Sequence, residues 1–369
     1  MVQDRIYLPG LNRLRAIAAL CVILAHLSEQ LVEKGLFKRN YFGHFGGYSV
    51  TIFFTLSGFL ITYLLLKEIE FQSKIDVKKF YIRRILRIWP LYFLFIFLIA
   101  IVMNFKMPNT IWYYIFILPN IPFAIHLSGK ALTTIPLLIH YWSLGVEEQF
   151  YAFWPWLIKF SSKIKRTIII FCVAYFGLKI CLSILHAPIV WQSILLHTRF
   201  CCLGIGGVGA CVYFENNSIL AFIKNRIVEF SAWLLVILFL MNQIRVFSIV
   251  NNEIISILVV ILIINQIYNP KTIIYLENRC FDYLGKISYG LYIYNPLIIY
   301  FLNFYLFDVN CKNVYIKSML IIVTTFSLVI LVSHISYFYF EKHFLKIKHR
   351  FATVESCSSK LNPLEIQRA

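Results

Sequence analysis

The sequence predicts an all-α, polytopic membrane protein of about 10 helices in a single bundle, with both termini cytoplasmic. Three observations carry that expectation. Of the 369 residues, 60 % are hydrophobic and only 14 % are charged, whereas a soluble domain is nearer half apolar and a quarter charged. The apolar residues fall in blocks of roughly 20, enough helix to cross about 30 Å of hydrocarbon. Lysine and arginine then collect in alternate connections, as cytoplasmic loops do.

The first segment, 11–31, contains "RLRAIAALCVILAHL". No small-x-small cleavage site follows Leu27, and Leu20 ahead of Cys21 suits lipoprotein processing poorly, so the segment reads as retained. Further spans are expected near 47–66, 88–105, 140–160, 167–185, 199–214, 227–244, 253–269, 286–305 and 315–340. The stretch 110–126, "TIWYYIFILPNIPFAIH", is apolar but broken by Pro119 and Pro122; it fits a re-entrant or interfacial piece, or an eleventh span.

Seven Lys/Arg lie within 67–87: Lys67, Lys74, Lys78, Lys79, Arg83, Arg84 and Arg87. Lys159, Lys163, Lys165 and Arg166 mark a second basic connection, and Lys342, Lys346, Lys348 and Arg350 a third. One membrane domain over 1–345 and a short, polar, disordered cytoplasmic tail over 346–369 are expected. Ten-residue alternating strands are absent, which argues against a β-barrel.

The formal charge of +18 is explained by these loops, so no nucleic-acid partner is expected. Cys21, Cys172, Cys181, Cys201, Cys202 and Cys211 lie inside apolar segments, where a free thiol behaves as a small hydrophobe. No C-x-x-C pair suggests metal or redox chemistry.

Ionisable residues inside spans are expensive, on the order of 2.5–3.5 kcal/mol each, and so point to a site. Arg15 and His26 are eleven residues apart. At about 100° per residue they share one helix face, separated by roughly 16 Å along the axis. Snorkelling of Arg15 to headgroups, with His26 satisfied by a carbonyl, is the structural alternative. Arg84 and Arg87 in "FYIRRILRIWP" stand at i and i+3, a pair suited to phosphate. Arg83, Lys78 and Lys79 read as topology anchors. In "HYWSLGVEEQFYAFWP", Glu147 and Glu148 are adjacent and cannot both face one cavity. One of them could orient His26 as a base; a structural ion pair is the alternative. Ser57 and Gly58 signal close helix packing, while Ser288, Tyr289 and Asn295, ahead of Pro296, read as interhelical glue.

The ordered set "LNRLRAIAALCVILAH", "FFTLSGFLIT", "FYIRRILRIWPLY", "WSLGVEEQFYAFWP", "RFCCLGIGGVGA" and "LGKISYGLYIYNP" resembles the acyltransferase-3 family over about residues 7 to 342. These are membrane O-acyltransferases of bacterial surface glycans. The resemblance implies a catalytic His26, donor handling by Arg15, Arg84 and Arg87, and a functional Glu147 beside Trp142 and Ser143. Arg199 matches an arginine that opens the sixth span in many members. Asn295 stands where many members have a histidine, so that histidine's role does not transfer. The chain resembles the form without the SGNH-type domain that some members carry.

The expected activity is transfer of an acyl group, acetyl above all, from cytoplasmic acyl-CoA to a hydroxyl of a cell-envelope carbohydrate such as lipopolysaccharide O-antigen. Acetyl-CoA is then a donor substrate and no cofactor is permanently bound. The acceptor carbohydrate could be lipid-linked, and the location is the bacterial cytoplasmic (inner) membrane. His26 fits a general base or an acylated nucleophile, Glu147 a tautomer-fixing partner, and Arg199, Tyr289 or Asn295 an oxyanion donor. A transporter of an acylated glycan or small acid is the alternative, since transporters also bury ionisable residues.

Overall fold

The computed structural model describes residues 4–8, 10–130, 132–216, 218–244, 246–247, 249–269, 272–274, 276, 278–306, 313–351 and 354–357. A strand β1 (Asp4–Tyr7) leads into helix α1 (Leu11–Glu33), which Gly10 opens in the left-handed region at φ 81°. Two long helices follow, α2 (Gly43–Gln72) and α3 (Val77–Val102). Asp76 caps α3 by accepting from the Lys79 N–H, satisfying a donor that a helix start leaves unpaired.

The proline-broken stretch forms two short helices, α4 (Ile111–Ile115) and α5 (Asn120–Leu127). At 5 and 8 residues neither can cross a bilayer, so 110–126 is not an eleventh span. A 3-10 turn (Pro136–Tyr141) then feeds α6 (Trp142–Lys159).

The chain continues through α7 (Ile164–Ile184), α8 (Ile189–Thr198), α9 (Phe200–Glu215), α10 (Ile219–Ile223), α11 (Arg226–Leu240) and α12 (Asn251–Tyr268). It closes with α13 (Arg279–Lys286), α14 (Ser288–Tyr305) and α15 (Val314–Ser336). A π-helical turn (Tyr337–Glu341) joins α15 to α16 (Lys342–His349). A last strand, β2 (Val354–Cys357), pairs in parallel with β1. Helix thus extends to residue 349 and a strand comes after it within the region expected as a disordered tail; residues 358–369 lie outside the described residues.

Every expected span falls on a helix, and the fold is an all-α polytopic membrane architecture with one short terminal strand pair. Seven helical stretches among the described residues are long and apolar enough to cross a membrane, one of them running through α8 and α9 and another through α15 and α16. Of the expected ten, α6, α11 and α14 fall short of that standard. The fifteen residues of α11 are too few. In α6 and α14 the cause is composition: Glu147, Glu148 and Gln149 in one, Ser288, Asn295 and several tyrosines in the other. Those polar groups mark the helices that build the site.

Large apolar side chains point outward from α3, α7, α11 and α15, including Phe97, Val173, Phe230 and Val323. That outward apolar surface suits lipid. Between helices, lipid gives no hydrophobic drive, so association rests on close packing and polar contacts. The central helix α2 packs against α1, α9 and α12, and glycine permits its approach to α9. A Cβ on Gly58 would stand 1.9 Å from the Leu203 carbonyl oxygen, and one on Gly206 2.2 Å from that of Thr55. The start of α1 is tied to α13 by Arg13, which donates to both Asp282 carboxylate oxygens at 3.0 and 2.9 Å.

Candidate functional site

His26 is partnered, and its partner is Asn295. The His26 Nδ1 stands 2.7 Å from the Asn295 Oδ1. The local sequence Asn295-Pro296 explains why Oδ1 faces the imidazole. Proline has no N–H, so Pro296 cannot bond the carbonyl one turn back, that of Tyr292. The Asn295 amide takes over: its Nδ2 donates to the Tyr292 carbonyl at 2.7 Å and to that of Leu291 at 3.1 Å. With Nδ2 committed to two acceptors, Oδ1 can only accept. His26 therefore carries its proton on Nδ1 in the neutral form, and Nε2 holds the free lone pair. Asn295 is fully buried, which holds this arrangement rigid.

A pocket lies along the same bundle, lined by side chains that the sequence singled out. Arg15 from α1, Arg84 and Arg87 from α3, Glu147 from α6 and Tyr289 from α14 converge on it, together with Ser57 and Ser143. None of the three arginines makes an ion pair within 4.0 Å among the described residues. The Arg84 guanidinium stacks over Phe80 and Tyr151, with 5.7 and 5.3 Å to the ring centroids, and its buried Nε has no hydrogen-bond partner. Three cationic groups without a bonded carboxylate are costly in a membrane protein. They suit an anionic guest.

Glu147 belongs to this pocket and accepts from the Ser57 hydroxyl at 2.8 Å. The expectation that it holds the His26 tautomer is corrected, because the Asn295 carbonyl occupies that position. Glu148 turns the other way and accepts from Trp89 Nε1 at 2.8 Å, so the two adjacent carboxylates do separate in role.

His26 is not among the pocket's lining residues, but bonded groups join the two. Ser143 and Tyr292 line the pocket and share a 2.7 Å hydroxyl–hydroxyl hydrogen bond, and the Tyr292 carbonyl holds the Asn295 amide. The buried His140 ring lies edge-on to Tyr292 at 5.5 Å, and neither ring nitrogen has a hydrogen-bond partner.

Two further expected residues, Arg199 and Tyr289, each donate to a backbone carbonyl. Arg199 sits between α8 and α9 in the left-handed region at φ 46°, a strained conformation for a residue with a Cβ. Its Nη1 donates to the Gly47 carbonyl at 2.7 Å and the Thr51 hydroxyl at 2.9 Å, and the guanidinium rests 5.1 Å from the Trp142 ring centroid. The Tyr289 hydroxyl donates to the Ile88 carbonyl at 2.8 Å, which commits its proton to α3. The buried Arg199 Nε has no hydrogen-bond partner. Ser57, Tyr292 and His140 were not legible as site members; only their place in polar blocks of apolar helices hinted at it. Among the described residues no cluster of His, Cys, Asp or Glu could hold a metal ion.

An α-helical membrane bundle with a tautomer-locked histidine beyond an arginine-lined pocket defines the class of protein. Comparison then supplies the family. A family model described as an acyltransferase domain, that of the acyltransferase-3 family, matches residues 8–338, and the chain belongs to that family. It is similar to a protein of Staphylococcus aureus (strain COL) named Putative O-acetyltransferase SACOL0978, 28 % identical over 92 % of this chain and 58 % of that protein. It is also similar to O-acetyltransferase OatA of Staphylococcus aureus (strain NCTC 8325 / PS 47), 33 % identical over 42 % of this chain and 25 % of that protein. The chain thus spans under two thirds of the length of these relatives. No solved structure matches it.

Proposed function

We propose that the chain is a membrane O-acetyltransferase that moves an acetyl group from cytoplasmic acetyl-CoA to a hydroxyl of a cell-envelope carbohydrate. The observation that carries this reading is the His26–Asn295 contact, which leaves Nε2 free to take a proton. Membership of an acyltransferase family and two relatives named as O-acetyltransferases support it. Both termini are assigned to the cytoplasm and the chain to the bacterial inner membrane, because the basic connections alternate as the positive-inside rule requires.

Arg15, Arg84 and Arg87 bind the phosphorylated end of the donor from the cytoplasmic side. The acetyl thioester extends towards His26, roughly 16 Å further along α1. The His26 Nε2 takes the acceptor hydroxyl's proton as its oxygen bonds to the thioester carbonyl carbon. As the imidazolium forms, the Asn295 carbonyl accepts a stronger hydrogen bond from Nδ1–H. The tetrahedral intermediate expels the CoA thiolate, which recovers the proton from Nε2. The products are the acetyl ester and CoA-SH. Glu147, held by Ser57, balances the arginine charge while the pocket is empty.

The test uses purified protein, acetyl-CoA labelled on the acetyl group, and envelope polysaccharide as acceptor. Wild type transfers label, and His26→Ala inserts and folds but transfers none. Normal transfer by folded His26→Ala overturns the assignment. Flux of acylated glycan or small acid into liposomes without transfer assigns a transporter instead.

A further inference from the structure

A second recess opens beside the arginine pocket and shares Arg15, Arg87, Leu60 and Tyr289 with it. Besides those two arginines, it is lined by Lys286 from the last turn of α13 and by Lys342, Lys346 and Lys348 from α16, against a single carboxylate, Glu341. Lys342 and Lys346 stand at i and i+4 and so share a face of α16, which packs against α3, the helix that carries Arg84 and Arg87. Neither lysine makes an ion pair within 4.0 Å among the described residues.

The turn that aims this helix is unusual. Tyr337–Glu341 is π-helical, and such a turn inserts an extra residue, rotating the helix beyond it by about 100° relative to a continuous α-helix. Both Tyr337 and Glu341 line the recess. π-Bulges of this kind occur frequently at functional sites. That change of phase sets which face of α16 lines the recess.

We propose that α16 is one wall of a subsite for the phosphorylated nucleotide of the donor, with Lys342 and Lys346 meeting its phosphates and Arg15 and Arg87 marking the passage to the thioester pocket. The inference rests on the acetyl-CoA reading above and deepens it. The nucleotide end of CoA is a nucleoside diphosphate bearing a further phosphate, and it is the multiply anionic part of the molecule. A lysine-lined recess at the mouth with an arginine-lined pocket behind it matches that distribution of charge. Anionic lipid headgroups present the same chemistry, so the two sources are separated by experiment.

The full chain is reconstituted in nanodiscs of zwitterionic lipid alone, and separately with anionic lipid added. Binding of acetyl-CoA and of acetyl-pantetheine, which lacks the nucleotide, is measured for wild type and for Lys342→Gln/Lys346→Gln. In zwitterionic discs the double variant binds acetyl-CoA about five- to tenfold more weakly, the range for two exposed charge pairs, and acetyl-pantetheine as well as wild type does. Lys342→Arg/Lys346→Arg retains wild-type acetyl-CoA affinity, and added salt narrows the difference between variant and wild type. Equal acetyl-CoA binding by wild type and Lys342→Gln/Lys346→Gln overturns the subsite while leaving the donor reading intact. A deficit confined to anionic discs assigns the lysines to headgroups and also overturns it. Absence of acetyl-CoA binding by wild type overturns the donor reading itself.

Discussion

Replacing Asn295 by leucine tests the local chemistry on which the mechanism depends. The substitution removes the acceptor 2.7 Å from the His26 Nδ1 while keeping a buried side chain of similar volume. In the transition state the imidazole becomes cationic, and a hydrogen bond to a charged group contributes about 1.5–3 kcal/mol. Its loss therefore slows turnover roughly 10- to 150-fold. The imidazole also loses the restraint on its tautomer, which moves the rate in the same direction. A second effect falls on stability. The Tyr292 carbonyl, already deprived of a helical partner by Pro296, loses the Asn295 amide 2.7 Å away, at a cost of about 1–3 kcal/mol.

The assay separates the two effects. Release of free CoA thiol gives kcat and the acetyl-CoA KM, and thermal unfolding in the same detergent gives stability. Asn295→Leu lowers kcat and leaves the KM for acetyl-CoA unchanged, because Asn295 does not line the arginine pocket. Asn295→Asp keeps an oxygen acceptor towards Nδ1 but gives up the amide donor, so it recovers most of kcat while sharing the stability loss. A folded Asn295→Leu protein with wild-type kcat would refute the tautomer argument. Loss of activity in strict proportion to loss of folded protein would refute it equally.

Arg84→Ala weakens acetyl-CoA binding roughly tenfold, as loss of one charge-assisted contact does, and costs thermal stability only through the lost stacking on Phe80 and Tyr151, about 0.5–2 kcal/mol; isothermal titration and a melting curve read both. Gly58→Val places a Cβ 1.9 Å from the Leu203 carbonyl oxygen, so α2 and α9 must part, destabilising the bundle by about 1–3 kcal/mol or more and lowering the unfolding midpoint. Asp76→Ala, in the connection between α2 and α3, removes the cap on α3 and costs about 1 kcal/mol at neutral pH. Its bond from the Lys79 N–H, ahead of the nearby Lys79 charge, holds the Asp76 carboxyl below its usual range. The stabilisation is therefore present above the ordinary aspartate range and lost as pH falls through the lower folded value. Melting curves of wild type and Asp76→Ala converge on acidification.

The helical segments were legible because their determinants are local. An apolar run of about 20 residues becomes helix in a bilayer whatever its neighbours, since its backbone groups must pair within the segment. The common face of Arg15 and His26 was legible for the same reason: helical spacing alone sets it. The separation of Glu147 from Glu148 follows from adjacency on one helix. The acyltransferase family was legible from six ordered blocks, and the match over residues 8–338 bears that out.

What those residues touch is another matter. His26 and Asn295 are 269 positions apart in the chain, and Ser57 and Glu147 are 90 apart. The chemistry of a buried carboxylate offered Glu147 as the histidine's partner. Packing gave the histidine to an asparagine amide whose direction is set by the proline beside it. Local sequence determines which groups share a helix face; which face meets which is decided by close approaches such as Gly58 on Leu203. A hydrogen bond tolerates an error of only a few tenths of an ångström, and helix spacing in the sequence carries no such information. The chain alone therefore specified the helices and the residues they carry. Only their packing made Nε2 the free nitrogen of His26.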